Sequence, residues 1–187
     1  MEKSKFNIRT LAVSGVLLAL AFVLSFIKIF SWPNGGSVTA CSMFFVTVIG
    51  YFYGPSVGLV SALAYAAMQF LQKPEAFSLL QVLFDYFFAF SALGISGFFS
   101  EIKGGLILGY SAGVFLRFVF STLASLFFWS EYLEPVFNSD SMILAAVVYN
   151  ASYILLEAAV TIIILALPPV RKGLQKLKSE ANGERNR

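Results

Sequence analysis

Between Leu79 and Phe90 the chain reads LLQVLFDYFFAF, an apolar run with one carboxylate, Asp85, followed directly by Tyr86. Two further charges, Arg117 and Glu157, lie in runs of the same kind. A carboxylate among aromatic rings suits an organic cation, because the ring faces attract it and the carboxylate neutralises it. The neighbouring residue types recur at helical spacing. Arg117, Ser121, Ser125 and Trp129 follow one another every four residues and form one winding stripe. Asn150, Tyr153 and Glu157, spaced three and then four, share a helix face. Each group also has a plainer reading. Arg117 can pair with Asp85 and fix helix packing, or pair with Glu157. Serines line helix contacts, Trp129 suits a membrane interface, and Asn150 suits an interhelical hydrogen bond. Packing and binding are compatible, since Arg117 can also orient Asp85 toward a ligand.

The elements that position these groups follow from composition. Of 187 residues, 58% are hydrophobic and 12% charged, half the charged share of an ordinary soluble domain. Mean hydropathy is +0.80. The apolar residues come in runs near the roughly 20 residues that cross a bilayer. We therefore expect an all-α integral membrane protein with one transmembrane domain over 1–170 and a basic tail over 171–187. One cysteine, Cys41, and no histidine argue against zinc, haem or a His base, so no metal or cofactor is expected. No GxSxG, HExxH or GxxxxGK[ST] pattern occurs, so neither an intramembrane enzyme nor a P-loop ATPase is indicated. The basic residues sit at the two ends, which is a signature of membrane topology and not of nucleic-acid binding.

Six spans are expected, over about 8–30, 38–53, 56–71, 77–99, 105–128 and 140–167. The second and third are short enough to be tilted, and Tyr53-Gly54-Pro55-Ser56 marks the turn between them. The first span begins with Lys3, Lys5 and Arg9 but lacks a small-residue cleavage site, so it reads as a retained helix. The positive-inside rule puts both termini in the cytoplasm, because Arg171, Lys172, Lys176, Lys178, Arg185 and Arg187 follow the last span. The loop with Glu131, Glu134 and Asp140 belongs outside, and the loop with Glu101 and Lys103 inside. After Pro168-Pro169 the chain suits a short amphipathic turn near 170–178, and SEANGERNR is expected to be disordered.

The outer loop SWPNGGSVTACSM (31–43) is broken by Pro33 and Gly35-Gly36. Non-helical backbone at membrane depth belongs where it lines a cavity or is covered by protein. Trp32 can close over such a cavity or serve as an interfacial anchor. On the first span, Ala12, Gly15 and Ala19 form a small-residue face that lets another helix approach, within the bundle or from a partner protein.

Over residues 5–168 the chain resembles the thiamine-specific substrate-binding (S) components of energy-coupling factor (ECF) vitamin transporters. The motifs that carry the resemblance are KFNIRTLAVSGVLLALAF, NGGSVTACSM, LFDYFFAFSALGISGFF, LRFVFSTLASLFFWSEY and VVYNASY. The resemblance implies a small membrane protein that captures the vitamin outside and docks on a transmembrane subunit driven by two ATPases. It also implies that the protein topples in the membrane and releases the vitamin inside. By the same resemblance Asp85, Tyr86, Trp129 and Asn150 contact the ligand, and Gly15 and Ala19 meet the transmembrane partner. The chain departs from the pattern at several positions. Asp85 stands for Glu, Ser121 for a stacking His and Ser125 for Gly. An acidic residue of the first outer segment falls near Ala40. A Tyr one turn before the Asn falls on Ala145, with Tyr149 and Tyr153 close enough to stand in.

The site expected is therefore Asp85, Tyr86, Trp129, Asn150, Ser121, Ser125, Trp32 and Tyr153, holding thiamine or a related small cation. The alternatives are an S component for another vitamin or for a thiamine precursor, and a non-transport membrane assembly protein that uses Gly15 and Ala19.

Overall fold

A computed structural model describes residues 7–32, 35–130 and 141–183. The fold is all-α with one short β-hairpin. Helix α1 runs Ile8–Phe26, and Asn7 starts it by accepting the Thr10 N–H at 2.8 Å. Strands β1 (Lys28–Ser31) and β2 (Ser37–Thr39) pair antiparallel. Helices α2 (Ser42–Tyr53) and α3 (Pro55–Gln72) meet at Gly54, whose φ of +85° makes the turn before Pro55 opens the first turn of α3. Then come α4 (Leu79–Phe99), α5 (Gly105–Phe128) and α6 (Met142–Ala166). Leu167 is extended, and Pro168-Pro169 begin α7, Pro168–Ala181.

Four helices, α1, α4, α5 and α6, are long and apolar enough to cross a membrane, and α2 is a shorter apolar helix. Large apolar side chains point outward, including Phe115 at 61% and Phe127 at 68% exposure. Such a surface suits lipid as the surrounding solvent.

The helix bounds lie near those expected for the spans, with two differences. Helix α1 stops at Phe26 instead of residue 30, and α2 starts at Ser42 instead of residue 38, because the intervening backbone pairs as the hairpin. The tail is also more ordered than expected. Helix α7 takes in Ser179–Ala181 and begins before residue 171. Lys178 lies 4.2 Å over the Tyr51 ring, donates to the Ser100 carbonyl and sits 3.8 Å from Glu101. The guanidinium of Arg9 approaches Gly183. The start of α1, the loop 100–104 and α7 thus share one end of the bundle, and the hairpin lies at the other. Lys3, Lys5, Pro33, Glu131, Glu134, Asp140, Arg185 and Arg187 lie outside the described residues.

Toward the α7 end, α2, α3, α4 and α5 pack backbone to backbone. A Cβ on Gly58 would stand 2.7 Å from both the Gly50 Cα and the Gly94 carbonyl. One on Gly109 would meet the Ser96 carbonyl at 2.9 Å. Ser96 ties this seam by donating to the Thr47 carbonyl at 2.8 Å.

Candidate functional site

Helix α4 is irregular where the chemistry lies. It opens as a single α turn capped by Ser78, whose Oγ accepts the Gln81 N–H at 3.1 Å. It continues as a π segment over Leu83–Phe88 and ends as a 3-10 helix over Ala92–Phe99. Helix α6 carries a second π segment, Ala151–Leu155. Each π segment widens the helix by a residue per hydrogen-bonded turn, a feature frequent at functional sites. Asp85 and Tyr86 sit on the first and Tyr153 on the second. All three line a cavity of about 660 Å³. That volume falls in the range of small-molecule sites.

Asp85 is held by neutral donors. Gln81 Nε2 donates to its Oδ2 at 2.6 Å and Trp129 Nε1 donates to the same atom at 2.7 Å. Both bonds fall on Oδ2, and Asp85 lines the cavity. The expected pairing with Arg117 is not made, and neither is the alternative with Glu157. The Arg117 guanidinium instead lies 4.2 Å over the Phe90 ring, on the helix next to its own. Glu157 is buried and accepts from Thr39 N and Thr39 Oγ1, both at 2.8 Å.

The stripe on α5 holds together, since Arg117, Ser121, Ser125 and Trp129 all line the cavity. So do Asn150, Tyr153 and Glu157 on α6. Asn150 is 1% exposed and its amide is already committed. Nδ2 donates to Ser125 Oγ at 2.8 Å and to the Ala146 carbonyl at 2.9 Å, and Oδ1 accepts the Tyr153 hydroxyl at 2.7 Å. It therefore acts as the hub joining α5 to α6 and fixes the angle of the Tyr153 ring. Tyr86 donates to the Lys73 carbonyl at 2.5 Å, leaving its ring toward the cavity and edge-on to Phe70. Trp129 is packed edge-to-face with Phe77, 4.9 Å between centroids. Trp32 is not on the cavity wall. Its Nε1 donates to Ser152 Oγ at 2.7 Å, and its ring backs Tyr149 at 6.4 Å.

The hairpin closes the top of the cavity. Gly36 N donates to the Tyr149 hydroxyl at 2.8 Å, and a Cβ on Gly36 would stand 2.7 Å from the Tyr153 ring. Beside it Lys73 pairs with Glu75 at 2.7 Å at the mouth. Ala12, Gly15 and Ala19 face outward on α1, and a Cβ on Gly15 would meet nothing within 4 Å.

Sequence reasoning missed Gln81, fully buried and bonded to Asp85, although its position one turn earlier on the same face was a signal. It passed over Tyr149 as a wall residue except as a substitute for the absent Tyr, and Ala145 does not reach the cavity. It also missed Phe90, whose role depends on which helix lies beside Arg117.

A membrane-embedded helical bundle with an aromatic-walled cavity that holds a buried carboxylate beneath a hairpin is the architecture of a small-molecule capture protein. The chain belongs to the thiamine transporter protein family (Thia_YuaJ), whose model matches residues 11–176. It is 28% identical over 188 residues to the thiamine transporter ThiT of Bacillus subtilis (strain 168), covering 89% of this chain and 93% of that protein. Its fold matches a structure of ThiT from Listeria monocytogenes with a TM-score of 0.67 at 23% identity, covering 86% of this chain and 94% of that one. The protein is a membrane substrate-capture component for thiamine uptake, and not an enzyme.

Proposed function

We propose that the cavity beneath the hairpin is where this chain captures thiamine or a close thiamine-like cation, at the outer face of the cell membrane. One observation carries the reading. Asp85 carries a carboxylate at membrane depth, bonded among the described residues to the neutral Gln81 and Trp129, and it lines a cavity of about 660 Å³. A charge at that depth costs a few kcal/mol unless something meets it. A cationic ring meets it, flanked by Tyr86, Trp129 and Tyr153. Ser121, Ser125 and Asn150 supply the polar wall, and Trp32 supports the site from behind Tyr149.

In this reading α1 to α6 make six crossings and both termini are cytoplasmic. The gathering of Arg9, the 100–104 loop and the basic α7 at one end supports that orientation. The working partners are an ECF transmembrane subunit and two ATPase subunits, since this chain carries no P-loop motif of its own. The uncovered face at Ala12, Gly15 and Ala19 supports a helix docking there.

The test is titration of the detergent-solubilised protein with thiamine, read by tryptophan fluorescence and confirmed by calorimetry. The chain has two Trp, Trp32 and Trp129, and Trp129 is bonded to Asp85. Saturable stoichiometric quenching that Asp85→Asn weakens by tenfold or more supports the reading. Folded protein with no response to thiamine refutes it. Ser121, where the family pattern carries His, favours a second reading in which the ligand is a pyrimidine or thiazole relative. A panel of those compounds separates the two.

A further inference from the structure

The α7 end of the bundle carries charges that the capture reading does not use. Among the described residues, Arg9, Lys103, Arg171, Lys172, Lys176 and Lys178 gather there against two acids, Glu101 and Glu180. Lys178 turns inward, to the Tyr51 ring, the Ser100 carbonyl and Glu101. The other five cations are exposed, and none is ion-paired with a described residue.

The apolar residues beside these cations decide what kind of anion fits. Helix α7, about 21 Å long by helical rise, carries a stripe of Val170, Leu174, Leu177 and Ala181, spaced four, three and four. Val170, Leu174 and Ala181 pack against the core of the bundle. Leu177 is 53% exposed and extends the stripe beyond what the protein covers, directly after Lys176. The same pairing recurs on two other elements. Exposed Ile8 precedes Arg9 on α1, and exposed Ile102 precedes Lys103 in the loop 100–104. No residue of α7 is buried, so the helix lies on the bundle and not within it. A soluble anion would neutralise the cations and leave Ile8, Ile102 and Leu177 in water. A membrane surface takes both parts. The apolar side chains enter the edge of the hydrocarbon, and the long cationic stems reach the headgroup phosphates. Headgroups with net negative charge are favoured, since the choline of a zwitterionic lipid cancels its phosphate.

Within this surface the cations differ. Arg171 and Gln175 line a narrow crevice with Tyr51 at the start of α5. Lys172 and Lys176 are one turn apart on another side of α7. We infer that α7, with the start of α1 and the loop 100–104, is a binding surface for anionic phospholipid, lying in the plane of the membrane interface, with Lys172 and Lys176 as its main headgroup contacts. The surface is independent of what the cavity holds.

The experiment titrates the purified full chain, in micelles of a neutral detergent, with phosphatidylglycerol, with phosphatidylcholine of the same chains, or with glycerol 3-phosphate. Native mass spectrometry counts the bound lipid. Wild-type protein is expected to bind phosphatidylglycerol at least tenfold more tightly than phosphatidylcholine. A double variant, Lys172→Gln with Lys176→Gln, is expected to weaken phosphatidylglycerol by about tenfold or more, at about fivefold per surface cation, and to leave phosphatidylcholine within about twofold. Glycerol 3-phosphate, which has the charge and lacks the chains, is expected not to bind at the same concentrations. A second measurement needs no variant. In nanodiscs of wild-type protein, the backbone amides of 170–181 are expected to exchange severalfold more slowly with phosphatidylglycerol than with phosphatidylcholine. Equal binding of the two lipids, a double variant that binds phosphatidylglycerol as wild type does, glycerol 3-phosphate bound as tightly as the lipid, or equal amide exchange in the two nanodiscs overturns the inference. Thiamine capture stands in each of those cases.

Discussion

The indole N–H of Trp129 donates to Asp85 Oδ2 at 2.7 Å, joining the end of α5 to the π segment of α4 in the wall of the cavity. The bond aims the carboxylate and fixes the ring beside it in one contact. Removing the charge and removing the bond are therefore separable experiments. Asp85→Asn keeps the size and removes the charge. It is expected to weaken thiamine binding by roughly 10- to 150-fold, the range of about 1.5–3 kcal/mol for a charge-assisted contact. Trp129→Phe keeps a ring and loses the donor, and is expected to cost less. Calorimetric Kd values for the two variants check the order.

Gln81 is bonded at both ends of its amide, to Asp85 Oδ2 and, as acceptor, to Phe77 N at 3.2 Å. Replacing it with Leu leaves the carboxylate with one protein donor. Gln81→Leu is expected to lower thiamine affinity while leaving the helical content unchanged. Circular dichroism beside calorimetry tests this, and an unaltered Kd would show that Trp129 alone suffices to aim Asp85.

Glu157 fastens the hairpin to α6 through the backbone and side chain of Thr39. Glu157→Ala strips both donors of their acceptor in a buried place, a loss of about 1–3 kcal/mol each at most. The expected outcome is a lower thermal midpoint and faster exchange of the backbone amides of β2. Hydrogen exchange followed by mass spectrometry resolves whether the loosening stays in the hairpin.

Gly58→Ala is expected to destabilise the bundle by about 1–3 kcal/mol, as overpacking does, because the new Cβ meets backbone that cannot rotate away. Gly15→Ala, whose Cβ meets nothing, is expected to leave the midpoint of the isolated protein unchanged. Thermal unfolding of the two variants in the same detergent provides the contrast.

Much of the molecule was legible in the residues because lipid imposes long apolar runs with clear ends. Helix α5 falls on its expected bounds, since Gly104-Gly105 and Trp129 punctuate it. The stripe from Arg117 to Trp129 was legible too, because helical spacing places side chains on one face wherever the helix goes. What was not legible depends on neighbours. The hairpin was seen only as a break at Gly35-Gly36, since strands of four and three residues leave no period to read. Arg117 was paired with a carboxylate by charge alone, when the group that comes to rest against it is Phe90. Spacing put Asn150 on the right face. Only the structure shows its amide spent on Ser125, Ala146 and Tyr153.

The glycine seam toward the α7 end has a consequence for motion. Where Gly50, Gly58 and Gly94 meet, backbone touches backbone and no side chain stands between them. A gate needs something that can swing, and a seam built of main chain has no such part. Parting the helices there means moving whole segments of backbone, and no turn of a side chain can do it.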